Sequence, residues 1–431
     1  MHRWVRRLGF GVLVISLVGC SPGSPSPTAK GSAGPSVADL GAARADLDHL
    51  LEALEQTHPN PWHGIHRSEF LAALDDLKGR LGDLSRDETA VELMRVTALL
   101  SRNGRDGHQF AIPAAGSEAP ILPMSVYEFA EGLFVTAALM PNEEIVGQRI
   151  VALAGHPIAD VLAALEPLVP RDGPATVPAF RPAFLLSSEV LRGLGLTGPE
   201  EVELTIVDAQ GVEQTASLTP MPFDDYFAAL GGNAMTQLPA RADTLYLSSD
   251  EVISTRLLSE GHTLYIRYTQ IRDLSGAMSA IREQAQDPAV ERIVLDLRQN
   301  GGGDNHSYPA LLSVLEDFAD AHPGRLVVLT DRITFSAAAN FATEVEHGTD
   351  ATFVGEAMGG GLNFWDDVIF ISLPHLSLPM RVGVSTRYWE KSDPDDPRLT
   401  IEPNIAVPVR AADYFAGLDP ALEAALAVGS P

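Results

Sequence analysis

RIVLDLRQNGGGD, residues 292–304, joins an apolar, β-rich run to three consecutive glycines. It is the second of three such runs, between TLYIRY at 263–268 and RLVVLT at 325–330. The segments between the runs are long enough for crossover helices. Buried strands that alternate with helices predict an α/β layer with mainly parallel strands. From about residue 244 onward, the expected fold class is therefore α/β.

The glycine run, Gly301 to Gly303, needs a structural reason because glycine loses more conformational entropy on folding than any other residue. One reason is that the backbone approaches a ligand closely and presents N–H groups to it. A flexible turn is the alternative. No GK[ST] sequence follows the run, which argues against a phosphate-binding nucleotide loop.

Ser336 lies in TFSAAANFATEV, residues 334–345, where the third apolar run gives way to an alanine-rich segment. The carboxyl ends of parallel strands meet at one edge of a sheet, so Ser336 and the glycine run are expected to be neighbours. A serine at a strand-to-helix turn can expose its hydroxyl as a nucleophile. It is also a common helix N-cap, and the local pattern leaves both interpretations open.

Three blocks, VLDLRQNGGG, TFSAAANFA and ATFVGEAMGGGLNFW, occur in this order and resemble the catalytic domain of tail-specific, or C-terminal processing, serine peptidases. The likeness covers about residues 244–410. It implies a crotonase-like α/β core with Ser336 as nucleophile. It also implies an oxyanion hole made by the N–H groups of Gly301, Gly302 and Ala337, or of Ser336 itself. On this interpretation Gly302→Ala leaves the fold intact and lowers turnover about a hundredfold.

The catalytic base is harder to assign from the resemblance. Many members of this family use a lysine where this chain has Gly361, and Lys391 lies far downstream. The tricorn-like branch, which uses serine, histidine and an acid, is the closer likeness. The block RNGRDGHQF, residues 102–110, resembles the histidine block of that branch and implies that His108 is the base.

The acid of that branch lies shortly before a motif that corresponds here to EPNIAV, so the resemblance implies Asp396 as the third catalytic residue. Its rivals are Asp395, Asp393 and Glu402. A solvated turn is the alternative interpretation of the DPDD sequence around them.

Upstream of the catalytic domain, assigned to residues 244–415, two further regions are predicted. Residues 38–118 form a helical region that ends in the His108 block, with Ser68 as a helix cap and Ser85 and Glu88 as a capping box. Residues 119–222 resemble a PDZ-like module with an insertion at about 167–199, a turn at Gly155 and a hairpin near Gln210-Gly211.

The N-terminus, residues 1–20, is similar to a bacterial lipoprotein signal. Three arginines precede an apolar run that ends in LVGC, which implies lipidation at Cys20. Residues 21–37 are rich in Ser, Pro and Gly and predict a flexible tether. We therefore expect an exported protein of the bacterial cell envelope that meets the membrane only through its lipid.

Composition excludes several classes of partner. The net charge of −27 argues against nucleic acid. Cys20 is the only cysteine, so disulfides and cysteine metal sites are excluded. The spacing of His58, His63 and His66 straddles Pro59 and Pro61, so one helical face cannot present all three. No metal or other cofactor is expected.

The predicted function is a serine endopeptidase acting on peptides or proteins, and the alternative is an inactive peptide- or ligand-binding protein on the same scaffold.

Overall fold

The computed structural model describes residues 37–231, 235–249 and 251–429, so the signal, Cys20 and nearly all of the tether lie outside the described residues. The first described elements are the helices α1 (Val37–Thr57), α2 (Arg67–Arg80) and α3 (Arg86–Ala98) and the short strand β1 (Ala111–Pro113).

Two predicted helix caps have different outcomes. Ser85 begins α3 as predicted, with its hydroxyl accepting from the Glu88 N–H and the Glu88 carboxylate accepting from the Ser85 N–H. The prediction that Ser68 caps α2 is wrong. That helix begins at Arg67, which puts His66 at the N-cap position, without a side-chain cap bond.

An antiparallel sheet follows, with strand order β2-β3-β4-β6-β7 and β5 paired to β4. Its strands are β2 (Met124–Phe129), β3 (Gly132–Ala138), β4 (Arg149–Leu153), β5 (His156–Pro157), β6 (Val202–Val207) and β7 (Glu213–Leu218). Its helices are α4 (Ile158–Leu165), α5 (Thr176–Leu186), α6 (Ser188–Gly193) and α7 (Phe223–Leu230). The predicted hairpin is the β6–β7 pair, and the predicted turn at Gly155 joins β4 to β5 with φ +81°.

The α/β layer is a six-stranded sheet of order β17-β12-β11-β10-β9-β8 in which only β8 runs antiparallel to its neighbour. Its strands are β8 (Ile253–Leu258), β9 (Thr263–Tyr268), β10 (Arg292–Asp296), β11 (Leu326–Thr330), β12 (Thr352–Gly355) and β17 (Ile405–Ala406). Its helices are α8 (Met278–Ala285), α9 (Pro309–Ala321), α10 (Ala337–Gly348), α11 (Ala411–Ala416) and α12 (Pro420–Ala427). Every residue of β9, β10 and β11 is buried, as the three apolar runs predict.

Four more strands lie between β12 and β17: β13 (Asn363–Asp366), β14 (Ile369–Leu373), β15 (Met380–Val384) and β16 (Arg387–Glu390). β13 and β16 form a two-stranded ribbon. β15 pairs with β14 on one side and with β1 on the other, so a strand from the N-terminal region completes a sheet made by the C-terminal region.

One hydrophobic core joins the N-terminal helices, the antiparallel sheet and the strands β14 and β15. Leu47 of α1, Val126 of β2 and Val382 of β15 belong to it. The helices therefore pack as part of a larger body, and this packing fixes the position of the segment that carries His108. None of the described helices is long and apolar enough to cross a membrane.

Candidate active site

Ser336 lies in the tight turn between β11 and α10, with the backbone angles φ +53° and ψ −129°. Such a left-handed conformation is strained for a side-chain-bearing residue and is typical of functional turns. Ser336 occupies the N-cap position of α10, but its side chain makes no cap bond. Its Oγ instead donates to Oδ2 of Asp366 at 2.9 Å. Of the two interpretations of this serine, the structure does not support the helix cap.

Two glycine-rich loops press on this turn. A Cβ on Gly302 would lie 2.6 Å from the Ser336 Cβ, and a Cβ on Gly360 would lie 3.2 Å from the Ser336 N and 2.4 Å from the Ala339 Cβ. Gly302 also has φ +108°, which side-chain-bearing residues rarely adopt. We therefore expect Gly302→Ala to strain the turn and to destabilise the fold, which the sequence alone did not indicate. Both loops need glycine because the nucleophile turn fills the space.

The three N–H groups predicted for an oxyanion hole differ in whether they already have a hydrogen-bond partner. The Gly302 N–H already donates to Oδ1 of Asn300 at 3.0 Å, and Asn300 is itself held by donating to the carbonyl of Tyr268. Within the described residues, the N–H groups of Gly301 and Ala337 have no hydrogen-bond partner. These two remain able to donate to a substrate oxygen.

His108 is brought to Ser336 from the N-terminal region by the pairing of β1 with β15. Its ring stacks on Phe335 and Phe364, with centroids 4.5 and 5.6 Å away. His108 Nε2 lies 3.4 Å from Oδ2 of Asp366, the same oxygen that accepts from Ser336. Neither ring nitrogen makes a hydrogen bond with another described residue.

Asp366, at the end of β13, was not singled out by the sequence reasoning. Its Oδ2 accepts from Ser336 and lies beside His108, so one carboxylate oxygen joins the two predicted catalytic side chains. All three residues are almost inaccessible, with exposed fractions of 4% for Ser336, 2% for His108 and 8% for Asp366. The only signal in the sequence was the position of Asp366 directly after the third resemblance block.

The acids predicted from the resemblance lie elsewhere. The Asp396 carboxylate accepts from Ser392 Oγ at 2.8 Å and forms an ion pair with Arg398, whose hydrogen bond holds the pKa of Asp396 below its usual range. The three rivals are exposed: Asp393, Asp395 and Glu402. Among the described residues, none of the four carboxylates contacts Ser336 or His108, and Asp366 takes the position expected for Asp396.

A second carboxylate beside the site, Asp172, belongs to the predicted insertion and carries no motif. It is fully buried, with Oδ1 accepting from the Gly107 N–H at 2.6 Å and Oδ2 from the Gly361 N–H at 3.2 Å. Burial raises the pKa of Asp172 to about 7, against the opposing influence of His108. Asp172 therefore ties the His108 block to Gly361, the position at which many tail-specific peptidases have a lysine.

Lys391 makes its contacts away from Ser336 and His108. Its Nζ lies 2.6 Å from Oε1 of Glu344 on α10 and faces the rings of Tyr308 and Trp389. No contact between Lys391 and Ser336 exists among the described residues.

His58 and His63 converge on Asp106, and the ligand atoms of the three residues lie within 4.8 Å of one another. As predicted, no single helical face presents these histidines, because α1 ends at Thr57; the loop that follows instead folds back and brings His58 and His63 together. His58 Nε2 lies 3.0 Å and His63 Nε2 3.2 Å from Asp106 Oδ2. The Asn60 N–H donates to His58 Nδ1, so neutral His58 carries its proton on Nε2, where a metal would have to bind.

Asp106 has further donors in Gln109 and Ser385. Burial raises the pKa of Asp106, but the hydrogen bonds from His58 and His63 outweigh burial and hold the pKa below its usual range. The cluster is a buried carboxylate surrounded by donors. It fixes the loop that precedes His108, and its proton positions do not suit a metal ion.

Comparison with known proteins bears on the fold. No protein-family model matches the chain, and no curated protein matches it. A CPAF mutant structure aligns over 91% of this chain and 99% of its own, with 14% identity and a TM-score of 0.62. Mature CPAF complexed with lactacystin aligns over 88% and 96%, with 16% identity and a TM-score of 0.58. The photosystem II D1 C-terminal processing protease aligns over 90% and 97%, with 16% identity and a TM-score of 0.40.

The two CPAF alignments confirm the α/β fold that the sequence predicts. The roles of the individual side chains are not decided by a likeness at this level of identity.

Proposed function

We propose that this chain is a serine endopeptidase of the bacterial cell envelope that hydrolyses peptide bonds in peptides or proteins. The observation that carries the proposal is the strained turn at Ser336, whose hydroxyl makes no helix-cap bond and donates to the Asp366 oxygen that also lies beside His108. A structural serine has no need of this conformation. The N–H groups of Gly301 and Ala337 near the turn add donors for an oxyanion.

In the proposed reaction, the Oγ of Ser336 attacks the scissile carbonyl and its proton passes to Nε2 of His108. A serine hydroxyl is barely ionised at neutral pH, so attack needs this adjacent acceptor. Asp366 has two successive roles. It holds Oγ in the resting site, and once Oγ moves to the carbonyl its carboxylate stabilises the imidazolium formed on His108.

The proton returns from His108 Nε2 to the leaving amine, and water then releases the acyl group from Ser336 by the same route in reverse. Because the side chains of this site are nearly inaccessible, a peptide reaches Oγ only after part of the surrounding structure moves. The loops around Gly302 and Gly360 both pack directly on the Ser336 turn.

The envelope location rests on the sequence alone. The signal-like residues 1–20 and Cys20 support export and a lipid anchor, and residues 21–37 supply a tether long enough to hold the body away from the membrane. The substrate in this proposal is therefore a peptide or protein outside the cytoplasm.

The alternative function is a catalytically silent binding protein on the same scaffold. The observation in its favour is that Ser336 donates to Asp366, while the Nε2 of His108 makes no hydrogen bond with another described residue. A fluorophosphonate probe, which reacts with activated serines, separates the two functions. Labelling of the wild type but not of Ser336→Ala supports the peptidase, and no labelling of either protein supports the binder.

Turnover of a casein substrate by the same proteins then tests the base. His108→Ala should lose activity about as completely as Ser336→Ala, with the double variant no worse, because the pair acts as a unit. Full activity in His108→Ala would overturn the assignment of the base.

A further inference from the structure

A cleft of about 330 Å³ lies beside the block that carries His108 and is not used by the proposed reaction. Its lining residues are Asn60, His63, Asn103, Gly104, Arg105, Trp365 and Tyr388. Clefts of about this volume are large enough for one or two amino-acid side chains or a small organic ligand. The cleft has one fully charged group, Arg105, and an aromatic wall.

The cleft and Ser336 lie on opposite faces of β13. Successive residues of a strand point to opposite sides, so Trp365 faces away from its neighbours Phe364 and Asp366. Phe364 stacks on His108, whereas Trp365 packs against His58 and His63, with ring centroids 4.6 and 5.8 Å away. The cleft is therefore separate from the catalytic side chains and one strand away from them.

Hydrogen bonds hold both the backbone and the guanidinium of Arg105. It has φ +72°, its N–H donates to the carbonyl of Asp172 at 2.9 Å, and its carbonyl accepts from the Trp365 N–H at 2.8 Å. Its guanidinium donates to the Tyr388 hydroxyl at 3.3 Å and to the backbone carbonyl of Asp396 at 3.0 Å. Both backbone and side chain are thus held in place.

The two acceptors of the Arg105 guanidinium are uncharged. No carboxylate of the described residues forms an ion pair with it, although the chain carries 57 acidic residues against 30 basic ones. The buried carboxylate of the next residue, Asp106, is occupied by its own four donors, and the Asp396 carboxylate is paired with Arg398. A half-buried guanidinium with five donors therefore keeps N–H groups for an anion.

From this cleft we infer a binding site for a carboxylate group of a peptide, with Arg105 as the charged partner and Trp365 and Tyr388 as the surface for an adjacent apolar side chain. The two rings lie opposite each other on β13 and β16, with centroids 4.7 Å apart, and form a continuous wall. A single guanidinium matches a singly charged carboxylate in a fork-to-fork pair. The carboxylate is either a chain terminus or an acidic side chain.

The inference concerns binding only and does not rest on the peptidase proposal. It is tested by titration calorimetry with Ser336→Ala protein, which removes hydrolysis of the probes. Three tripeptides serve as probes: acetyl-Ala-Ala-Leu with a free carboxylate, the same peptide as its carboxamide, and the carboxamide of acetyl-Ala-Glu-Leu. We expect the neutral carboxamide to bind at least tenfold more weakly than one or both of the charged peptides. The charged peptide that binds identifies the source of the carboxylate.

Arg105→Gln in the same background should remove the preference for the charged peptides. Arg387→Gln, an exposed arginine of the same ribbon that lies outside the cleft, is the matched control and should keep it. Tyr388→Phe keeps the aromatic wall but loses a hydroxyl that holds the guanidinium, so it should weaken binding of the charged peptide by several fold. Equal affinity for all three peptides, or an unchanged preference in Arg105→Gln, would overturn the inference. The comparison of peptides needs no cleft variant and stands even if Arg105→Gln does not fold.

Discussion

Replacing Asp172 with asparagine removes a buried carboxyl group and keeps its shape. In the folded protein this group lies between the N–H groups of Gly107 and Gly361, and burial raises its pKa to about 7. In the unfolded chain the carboxyl has an ordinary pKa near 4. Asp172 therefore makes the folding free energy depend on pH, whereas the asparagine of the variant does not titrate.

The sign and size of the effect follow from this difference. Between about pH 4 and pH 7 the unfolded chain releases the Asp172 proton and the folded protein keeps it, so stability falls as the pH rises. The fall ends above about pH 7, where both states are ionised. A pKa difference of about three between the two states corresponds to about 4 kcal/mol. The stability of Asp172→Asn relative to wild type should thus rise by about 4 kcal/mol between pH 4 and pH 8.

The absolute stability of the variant is offset by a constant amount. The asparagine amide places an NH₂ group against one of the two backbone N–H groups, which costs about 1 to 3 kcal/mol at every pH. The pH-dependent part is therefore measured as the difference between the two proteins in urea unfolding, followed by circular dichroism at several pH values.

Asp83→Asn is the control, because Asp83 is exposed and its variant should follow the wild type at each pH. A difference between Asp172→Asn and wild type that stays level from pH 4 to pH 8 would contradict the raised pKa. It would mean that the two backbone donors stabilise the Asp172 carboxylate enough to offset its burial.

Three further changes test other parts of the structure. Gly302→Ala should lower the free energy of unfolding by about 2 kcal/mol or more, because Gly302 has a positive φ and an added Cβ would contact Ser336. Gly276 faces open space, so Gly276→Ala is the control, and the two variants are compared by thermal melting. Lys391→Ala should keep peptidase turnover, because its ammonium pairs with an acid on α10; an inactive variant would reinstate a lysine base. Cys20→Ala should prevent lipid attachment, seen as membrane release or an unprocessed precursor by fractionation and mass spectrometry, and unchanged membrane retention would rule the anchor out.

Sequence periodicity was sufficient for the α/β layer, because β9, β10 and β11 are continuous apolar runs and such runs have few other solutions. It was also sufficient to bring Ser336 next to the glycine loop, since both follow the carboxyl ends of neighbouring strands. Both predictions depend on local pattern and on one general property of parallel sheets.

Sequence reasoning did not identify the two carboxylates beside the site, Asp366 and Asp172, for a different reason. Asp366 reaches Ser336 only because β13 folds back from the loop that covers the nucleophile turn, and Asp172 reaches Gly107 from within an insertion that has no motif. Contacts of this kind depend on the path of long connections, which neither residue propensity nor periodicity records. The prediction of a helix cap at Ser68 was wrong for a simpler reason, because the helix begins one residue earlier, at Arg67.

The pairing of β1 with β15 has a consequence for the synthesis of the protein. The segment around His108 leaves the ribosome early, but its strand partner, Met380–Val384, comes near the end of the chain. A nascent or truncated polypeptide that lacks residue 384 has no edge on which to align His108 with Ser336. In the proposed peptidase, activity should therefore require the chain up to Val384, and a polypeptide truncated before β15 should be inactive.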